Sequence, residues 1–273
     1  MFVSPMLLER VEEPKNTDDY ITELKLDGIR LILTKFENKM RLYSRHNNEI
    51  TSLFDDILEG LNIPNGTVLD GEIVVPGKNG HPDFEALMER FKSKKSTHPI
   101  QFCVFDIIYF EGKNISSYPL ISRKEILSQI KFTDKVVYLN WLTGNGTPYF
   151  NVVKELDLEG IVQKKIESKY QINKRSKDWL KIINYKYADV YLMGISKNRK
   201  SFLLQSLDGQ SIGSMEFVPI QQRKIIYNEI RNTGITENDN FIFFNKKIKC
   251  NVKFRNWTSN GKLRIPSFNK FIS

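Results

Sequence analysis

The sequence predicts an α+β chain in two parts, the second a small β-barrel, and three observations carry that expectation. Short runs rich in β-branched and aromatic residues alternate with polar positions and end at Gly, Asn or Asp, as half-buried strands do. Segments with helical spacing are few and short. Beyond Lys186 the texture changes to closely spaced short strands with a single helix candidate. A chain of 273 residues can bury more than one core. Its apolar and charged fractions suit a soluble globular protein, and no apolar run reaches the length needed to cross a bilayer. The opening Met1 to Glu13 carries Glu9, Arg10, Glu12 and Glu13, which is not a secretory signal and predicts a cytoplasmic protein.

A formal net charge of +9 argues for a polyanionic partner, with mere solubility as the plain alternative. The lysines cluster at Lys92 to Lys95, Lys164-Lys165, Lys169 to Lys177 and Lys246 to Lys249, and Tyr170 and Trp179 interleave with them as on a nucleic-acid track. Cys103 and Cys250 lie far apart inside apolar alternating runs, which fits buried thiols better than a disulfide. His46, His81 and His98 show no ligand spacing with either cysteine, so no zinc site is expected.

Pro5 to Leu8 opens the chain and a polar connector leads to Tyr20. The strands Tyr20 to Leu24 and Ile29 to Leu33 flank Lys25, which stands beside an Asp-Gly turn. A lysine there is ordinarily a solvated surface charge. Its company favours another reading: Lys-x-Asp-Gly-x-Arg gathers an amine, the Asp27 carboxylate, a glycine free to take positive φ and the Arg30 guanidinium. Alternation aims Lys25 and Asp27 to one side, and the turn folds Arg30 back toward them. Such a cluster suits a lysine that loses its proton and attacks phosphorus. Met40 to Ser44 forms a third strand after the Glu37-Asn38-Lys39 turn, Asn47 and Asn48 read as hairpin-turn residues, and Arg45 stands at the strand's end.

Leu53 to Leu61 predicts a short helix ended near Gly60. Thr67 to Val75 is a strand interrupted by Asp70, Gly71 and Glu72. Two acids buried there unpaired would be costly, so a bulge meeting cations, ribose hydroxyls or a metal explains them; a turn with solvated acids is the competing view. Phe84, Leu87, Met88 and Phe91 fall at helical spacing and read as core. Ile100 to Phe110 predicts a central strand whose aromatics are core by default. A helix from Leu120 to Ile130, a strand from Val136 to Leu139 and a helix from Pro148 to Leu158 follow. Glu159-Gly160-Ile161-Val162 then sets a carboxylate just ahead of a β-branched strand, either a plain strand-end acid or a ligand for magnesium, which prefers oxygen donors. Past Lys181 and Lys186 come strands at Val190 to Ser196, Phe202 to Ser206, Ile212 to Val218, Phe241 to Phe244 and Ile248 to Trp257, with a helix from Pro219 to Arg231. That content in so short a segment fits a small barrel of the OB-fold kind.

In order along the chain, Lys25-Leu26-Asp27-Gly28-Ile29-Arg30, Ser44-Arg45, Asp70-Gly71-Glu72, Phe105-Asp106-Ile107, Glu159-Gly160-Ile161-Val162 and Lys181 resemble the motifs of the covalent nucleotidyltransferases. These are the ATP-dependent DNA ligases, RNA ligases and mRNA capping enzymes. The tail from Trp257 to Phe268 is similar to the end of bacterial ligase modules of the end-joining type. The resemblance implies a nucleotidyltransferase (adenylation) domain over 1–187, with antiparallel and mixed sheets flanked by helices, and an OB-fold domain over 188–273. It implies ATP and Mg2+ as cofactors and nicked duplex DNA as the substrate of a monomeric minimal DNA ligase working in the cytoplasm on the nucleoid. Lys25 would carry AMP, with Asp27 and Lys181 as the other catalytic residues. Glu23 would accept from the adenine amino group, Leu24 would line the nucleotide, Phe105 rather than Phe102 would stack on the purine, and Arg30 and Arg45 would hold ribose and phosphate. Glu72 and Glu159 would bind ribose or magnesium, and Lys181 the α-phosphate.

The sequence departs from the family pattern in three places. Asn47-Asn48 stands for the usual Asn-Gly, and Ile183 replaces a second lysine, leaving Lys186 to supply that charge from a shifted position. No Arg-x-Asp-Lys motif follows the tail before Ser273; in the family that motif orients the leaving pyrophosphate, so self-adenylylation is expected to be slow or to use other basic residues. The alternatives are an RNA ligase, a GTP-using capping-type enzyme, or a catalytically weak DNA-binding clamp.

Overall fold

The computed structural model describes residues 1–77, 80–93 and 95–272. The chain divides into two compact units, Met1–Asn184 and Tyr185–Ser273. The boundary expected at 187/188 falls inside a strand, Lys186–Ser196, that belongs wholly to the second unit.

In chain order the first unit contains β1 (Leu7–Arg10), β2 (Tyr20–Leu24), β3 (Ile29–Phe36), β4 (Lys39–Ser44), β5 (Thr67–Val74), α1 (Phe84–Lys92) and β6 (Gln101–Phe110). It continues with β7 (Lys113–Asn114), α2 (Leu120–Ser128), β8 (Val136–Tyr138), β9 (Trp141–Thr143), α3 (Gly146–Glu155), β10 (Gly160–Lys165) and β11 (Arg175–Ile183). One sheet has the order β1-β11-β10-β2-β9, antiparallel except where β1 runs parallel to β11. The other has the order β4-β3-β5-β6-β7, with β8 joining β6 in parallel.

The near-continuous apolar run of β3 has a direct cause: its sheet is buried on both faces. Leu31 and Leu33 enter a core with Phe54, Leu69 and Phe102, while Ile32 between them enters a second core with Ile21, Val68 and Trp179. Because Ile21 lies on β2 and Trp179 on β11, that second core joins the two sheets. The ends of β2 and β3, and hence the loop between them, are fixed by this packing.

Two local expectations need correction. Leu53–Leu61 is not an α-helix but two 3-10 turns, Thr51–Leu53 and Asp55–Leu58, with Phe54 N–H donating to Thr51 O at 3.1 Å and Ile57 N–H to Phe54 O at 3.2 Å. Phe54 between them stands outside the helical region at φ −136° and ψ +31°, which splits the segment, and the tighter turns still seat Phe54 and Ile57 in the core. Gly28 does not use positive φ. Its lack of a side chain serves close approach instead, since a Cβ there would lie 2.3 Å from the Ile73 carbonyl oxygen.

The second unit contains β12 (Lys186–Ser196), β13 (Phe202–Gln205), β14 (Ser211–Met215), α4 (Ile220–Thr233), β15 (Ile235–Glu237), β16 (Phe241–Phe254) and β17 (Ser267–Phe271). The sheet order is β14-β13-β12-β16-β15, with β17 also on β16. The runs expected as separate strands at Phe241 and Ile248 are one strand. Leu192 pairs with Ile248 but Gly194 with Phe243, so the polar residues between them bulge out while pairing to β12 continues. Cys103 and Cys250 are free and buried, as the alternation predicted, and burial pushes both thiols up to about 12.

Candidate active site

Lys25 follows directly on β2, and its N–H donates to the Gly160 carbonyl at 2.9 Å, prolonging the antiparallel pairing of β2 with β10. That pairing sets Leu24 opposite Ile161 and carries Lys25 to Glu159. The ammonium donates to Glu159 Oε2 at 2.6 Å. The Lys25 side chain keeps 19% of its surface exposed and Glu159 keeps 8%, so the pair is reachable from solvent yet held where charge is weakly screened. Gly160 makes the approach possible, with φ at +150° and no room for a Cβ, which would sit 2.1 Å from the Ile182 carbonyl oxygen.

The acid strand meets this loop from the other sheet. β3 pairs with β5 so that Arg30 faces Glu72, and the register of β5 against β6 shifts between Asp70 and Gly71, a bulge rather than the competing turn. Burial pushes the Glu72 carboxyl up to about 7; the charges of Lys25 and Arg30 oppose that, and Asp70 and Asp27 add to it. Lys25, Asp27, Arg30 and Glu72 therefore share one neighbourhood. Asp70 is fully buried and grips Arg30 through two bonds, 2.9 Å from Nε and 2.6 Å from Nη2, while Tyr170 donates its hydroxyl to the same carboxylate at 2.6 Å. Burial weakens the Arg30 charge but Asp70 outweighs it and raises the guanidinium pKa. Asp70 thus aims Arg30, whose guanidinium carbon lies 5.3 Å from the centre of the Phe105 ring.

Phe102 is fully buried in the core of its sheet, whereas Phe105 on the other face is only partly buried. Lys164 Nζ lies 4.2 Å from the Phe105 ring centre and 4.3 Å from that of Trp179. The same ammonium pairs with Glu23 at 2.7 Å, and Lys124 holds the other carboxylate oxygen. Burial lowers the Lys164 pKa to about 8, against the pull of Glu23. The side chain named as the adenine acceptor is therefore already held by two cations, with further lone pairs left on its oxygens. Leu24 packs its side chain on a small core of Phe150, Ile161, Leu180 and Ile182.

Lys181 lies on β11, opposite Val162 of β10 on one side and Arg10 of β1 on the other. Its pKa is lowered first by burial and then by Lys25, Arg175, Arg10 and Arg45, which places all these cations within electrostatic reach of one another. Arg45 is exposed just past the end of β4. Ile183 is buried, and Lys186 opens the first strand of the second unit opposite Phe254. Among the described residues no three His, Cys, Asp or Glu side chains stand close enough to hold a metal between them. Glu72 and Glu159 offer the carboxylate donors that magnesium takes when phosphate oxygens and water complete its shell, so these residues fit the ion.

Sequence reasoning left out Lys124, Arg10 and Arg175 as parts of the site, and it read Lys164, Tyr170 and Trp179 as part of a nucleic-acid track, which is overturned because all three are buried. Lys164 had a readable signal, since it continues a strand that opens on the apolar run Gly160 to Val162. Lys124 and Tyr170 had none, because contacts made across the fold leave no trace in local spacing.

The family description "ATP dependent DNA ligase domain" matches residues 5–182. The chain is 52% identical over 269 residues to the SPbeta prophage-derived DNA ligase-like protein LigB of Bacillus subtilis, covering 98% of each. It is 30% identical over 244 residues to the multifunctional non-homologous end joining protein LigD of Pseudomonas aeruginosa, covering 86% of this chain and 28% of that one. Among solved structures, a Lig E DNA ligase matches 99% of the chain and 100% of its own length at TM-score 0.69 and 16% identity. Mycobacterial DNA ligase D complexed with ATP and MES covers 99% of this chain and 95% of its own at TM-score 0.60 and 20% identity. These likenesses show the fold, an adenylation domain followed by an OB-fold-like domain. With its motif residues, its fold and relatives matched over nearly its whole length, the chain belongs to the ATP-dependent DNA ligase family.

Proposed function

We propose that this chain seals 5′-phosphate/3′-hydroxyl nicks in duplex DNA through AMP carried on Lys25. The observation that supports this reading most is the Lys25–Glu159 contact of 2.6 Å set among Lys181, Arg10, Arg45 and Arg175. An amine attacks phosphorus only after losing its proton, and Glu159 is in place to receive it. The Lys25 nitrogen then bonds to the α-phosphorus of ATP, the bond to the β-phosphate oxygen breaks, and pyrophosphate leaves with the electron pair. The nick's 5′-phosphate displaces the lysine to form a DNA-adenylate, and the 3′-hydroxyl displaces AMP to close the strand. Chemistry of this kind rests on positioning and on neutralising charge that the site has already paired with fixed cations.

Phe105 supplies the face for the purine, and Glu23 an acceptor for the adenine amino group beside the Leu24 backbone. Arg30, held by Asp70, is aimed at the ribose. Lys181 takes the α-phosphate, Arg45 adds charge for phosphates, and Asp27 with Glu72 tunes the field at Lys25. A magnesium ion held by Glu72 or Glu159 would neutralise phosphate charge. The working form is a monomer in the cytoplasm, with DNA held through phosphate contacts to a chain of net charge +9.

Nicked duplex with a labelled 5′-phosphate, incubated with the purified chain and either ATP or GTP, tests the assignment. Sealing of DNA with ATP alone is expected, and Lys25→Ala should seal nothing. Equal use of GTP, preference for nicked RNA, or sealing by Lys25→Ala would each refute it.

A further inference from the structure

We propose that Arg10 and Arg175 form the subsite for the β- and γ-phosphates of ATP, and so for the pyrophosphate that leaves when Lys25 is adenylylated. The proposal rests on reading Lys25 as the nucleophile. Its basis is a row of residues across the first sheet. Glu23 on β2 pairs with Val162 on β10, Val162 with Lys181 on β11, and Lys181 with Arg10 on β1. Side chains opposite one another in paired strands share a face, so Arg10, Lys181 and Glu23 look out on the same side, and Lys25, two residues beyond Glu23, follows them.

The row is ordered as a nucleotide is. Glu23 lies beside Lys164 and the Phe105 ring, at the purine end. Lys25 and Lys181 stand at the centre. Beyond Lys181 the next strand brings Arg10; Arg175, opposite Leu7 and so starting from the other face, carries its guanidinium to the Leu8 carbonyl at that same edge. A triphosphate whose purine lies at Phe105 and whose α-phosphorus lies at Lys25 extends its remaining phosphates away from the base, toward that edge.

Charge supports the same assignment. Lys25, Lys181, Arg10, Arg45 and Arg175 are close enough that Lys181 holds its proton less tightly for their presence, after the effect of its own burial. Gathering like charges is unfavourable until an anion binds among them. Arg10 donates to Glu12 at 2.7 Å, but Glu12 is 76% exposed, and a pair so screened by water yields readily to phosphate. As the bond from the α-phosphorus breaks, pyrophosphate takes the electron pair, and two guanidinium groups match its oxygens through paired bonds.

The test separates the adenylylation step from the sealing step in full-length protein. Arg10→Gln and Arg175→Lys are assayed for single-turnover transfer of AMP from ATP to the protein. In parallel, each is assayed without ATP for closure of a nick that already carries 5′-AMP. Adenylylation should fall by about tenfold or more per variant, with a higher KM for ATP and weaker inhibition by pyrophosphate, while closure of the pre-adenylated nick falls far less. Arg10→Lys should recover part of the loss, and melting curves matching the parent confirm that the variants fold. Equal loss in both steps would move these arginines to the DNA backbone and overturn the proposal, as would unchanged adenylylation. Failure of the Lys25 reading would show separately, as label retained by Lys25→Ala.

Discussion

At Glu72 the cost of burying a carboxylate next to two others is written into its proton affinity. The carboxyl is raised from its ordinary value to about 7, chiefly by burial, although Lys25 and Arg30 favour its charged form. The sign of the consequence is fixed: the folded chain holds this proton where the unfolded chain has released it, so the group costs stability as pH rises from about 4.5 to about 7, and the cost then levels off. Glu72→Gln should therefore gain stability relative to the parent as pH is raised through that window, read from urea denaturation at pH 5 and pH 8. A constant difference would contradict the raised carboxyl. Tyr170 offers a second residue-scale prediction, because its hydroxyl serves a buried carboxylate that already carries Arg30. Tyr170→Phe should lose about 2 kcal/mol in the same measurement, the worth of a hydrogen bond to a charged group, and should slow adenylylation as Arg30 loosens. A loss below about 0.5 kcal/mol would show that Arg30 alone satisfies Asp70. That Lys25, Asp27 and Arg30 cluster was legible from residue type at short spacing, and Glu72 from the cost of an acid in an apolar strand. Tyr170 was not, since it reaches Asp70 across 100 positions of sequence.

Among the elements, β10 does most to assemble the site. It pairs with β2 to bring Glu159 to Lys25 and with β11 to bring Lys181 alongside. Its first residue, Gly160, combines a positive φ with a backbone contact that leaves no room for a side chain. Gly160→Ala should cost about 2 kcal/mol or more and reduce adenylylation, since β10 and β11 must part to admit the methyl group. Unchanged unfolding and activity would show that the strand tolerates the shift. The strands of the first unit were readable from period-two alternation and from apolar runs that a doubly covered sheet demands. Two features were not. The turns from Thr51 to Leu58 carry the spacing of a helix, but Phe54 between them leaves the helical region. The polar break at Asn245 to Lys247 looks like a strand end, and only the unbroken partner β12 shows that β16 continues through it.

For the molecule as a whole, net charge and the order of motifs carried the reading furthest. A chain of charge +9 that binds duplex DNA through phosphates should lose affinity steeply with salt, by about a thousandfold between 50 and 200 mM if it makes six or more such contacts. Titration of nicked duplex across that range checks it, and a flat response would place the binding energy elsewhere. The sequence order of motifs and the position of Lys25 between two strands gave the adenylation fold, while the cation pairs at Glu23 and the edge row through Arg10 needed coordinates, because they join residues of distant strands. The proposed chemistry turns on one nitrogen. Incubating the parent chain with ATP and magnesium, digesting it and locating AMP by tandem mass spectrometry should find the nucleotide on the peptide containing Lys25, attached at that side chain. AMP on another residue, or none on a preparation that nonetheless seals nicks, would contradict it.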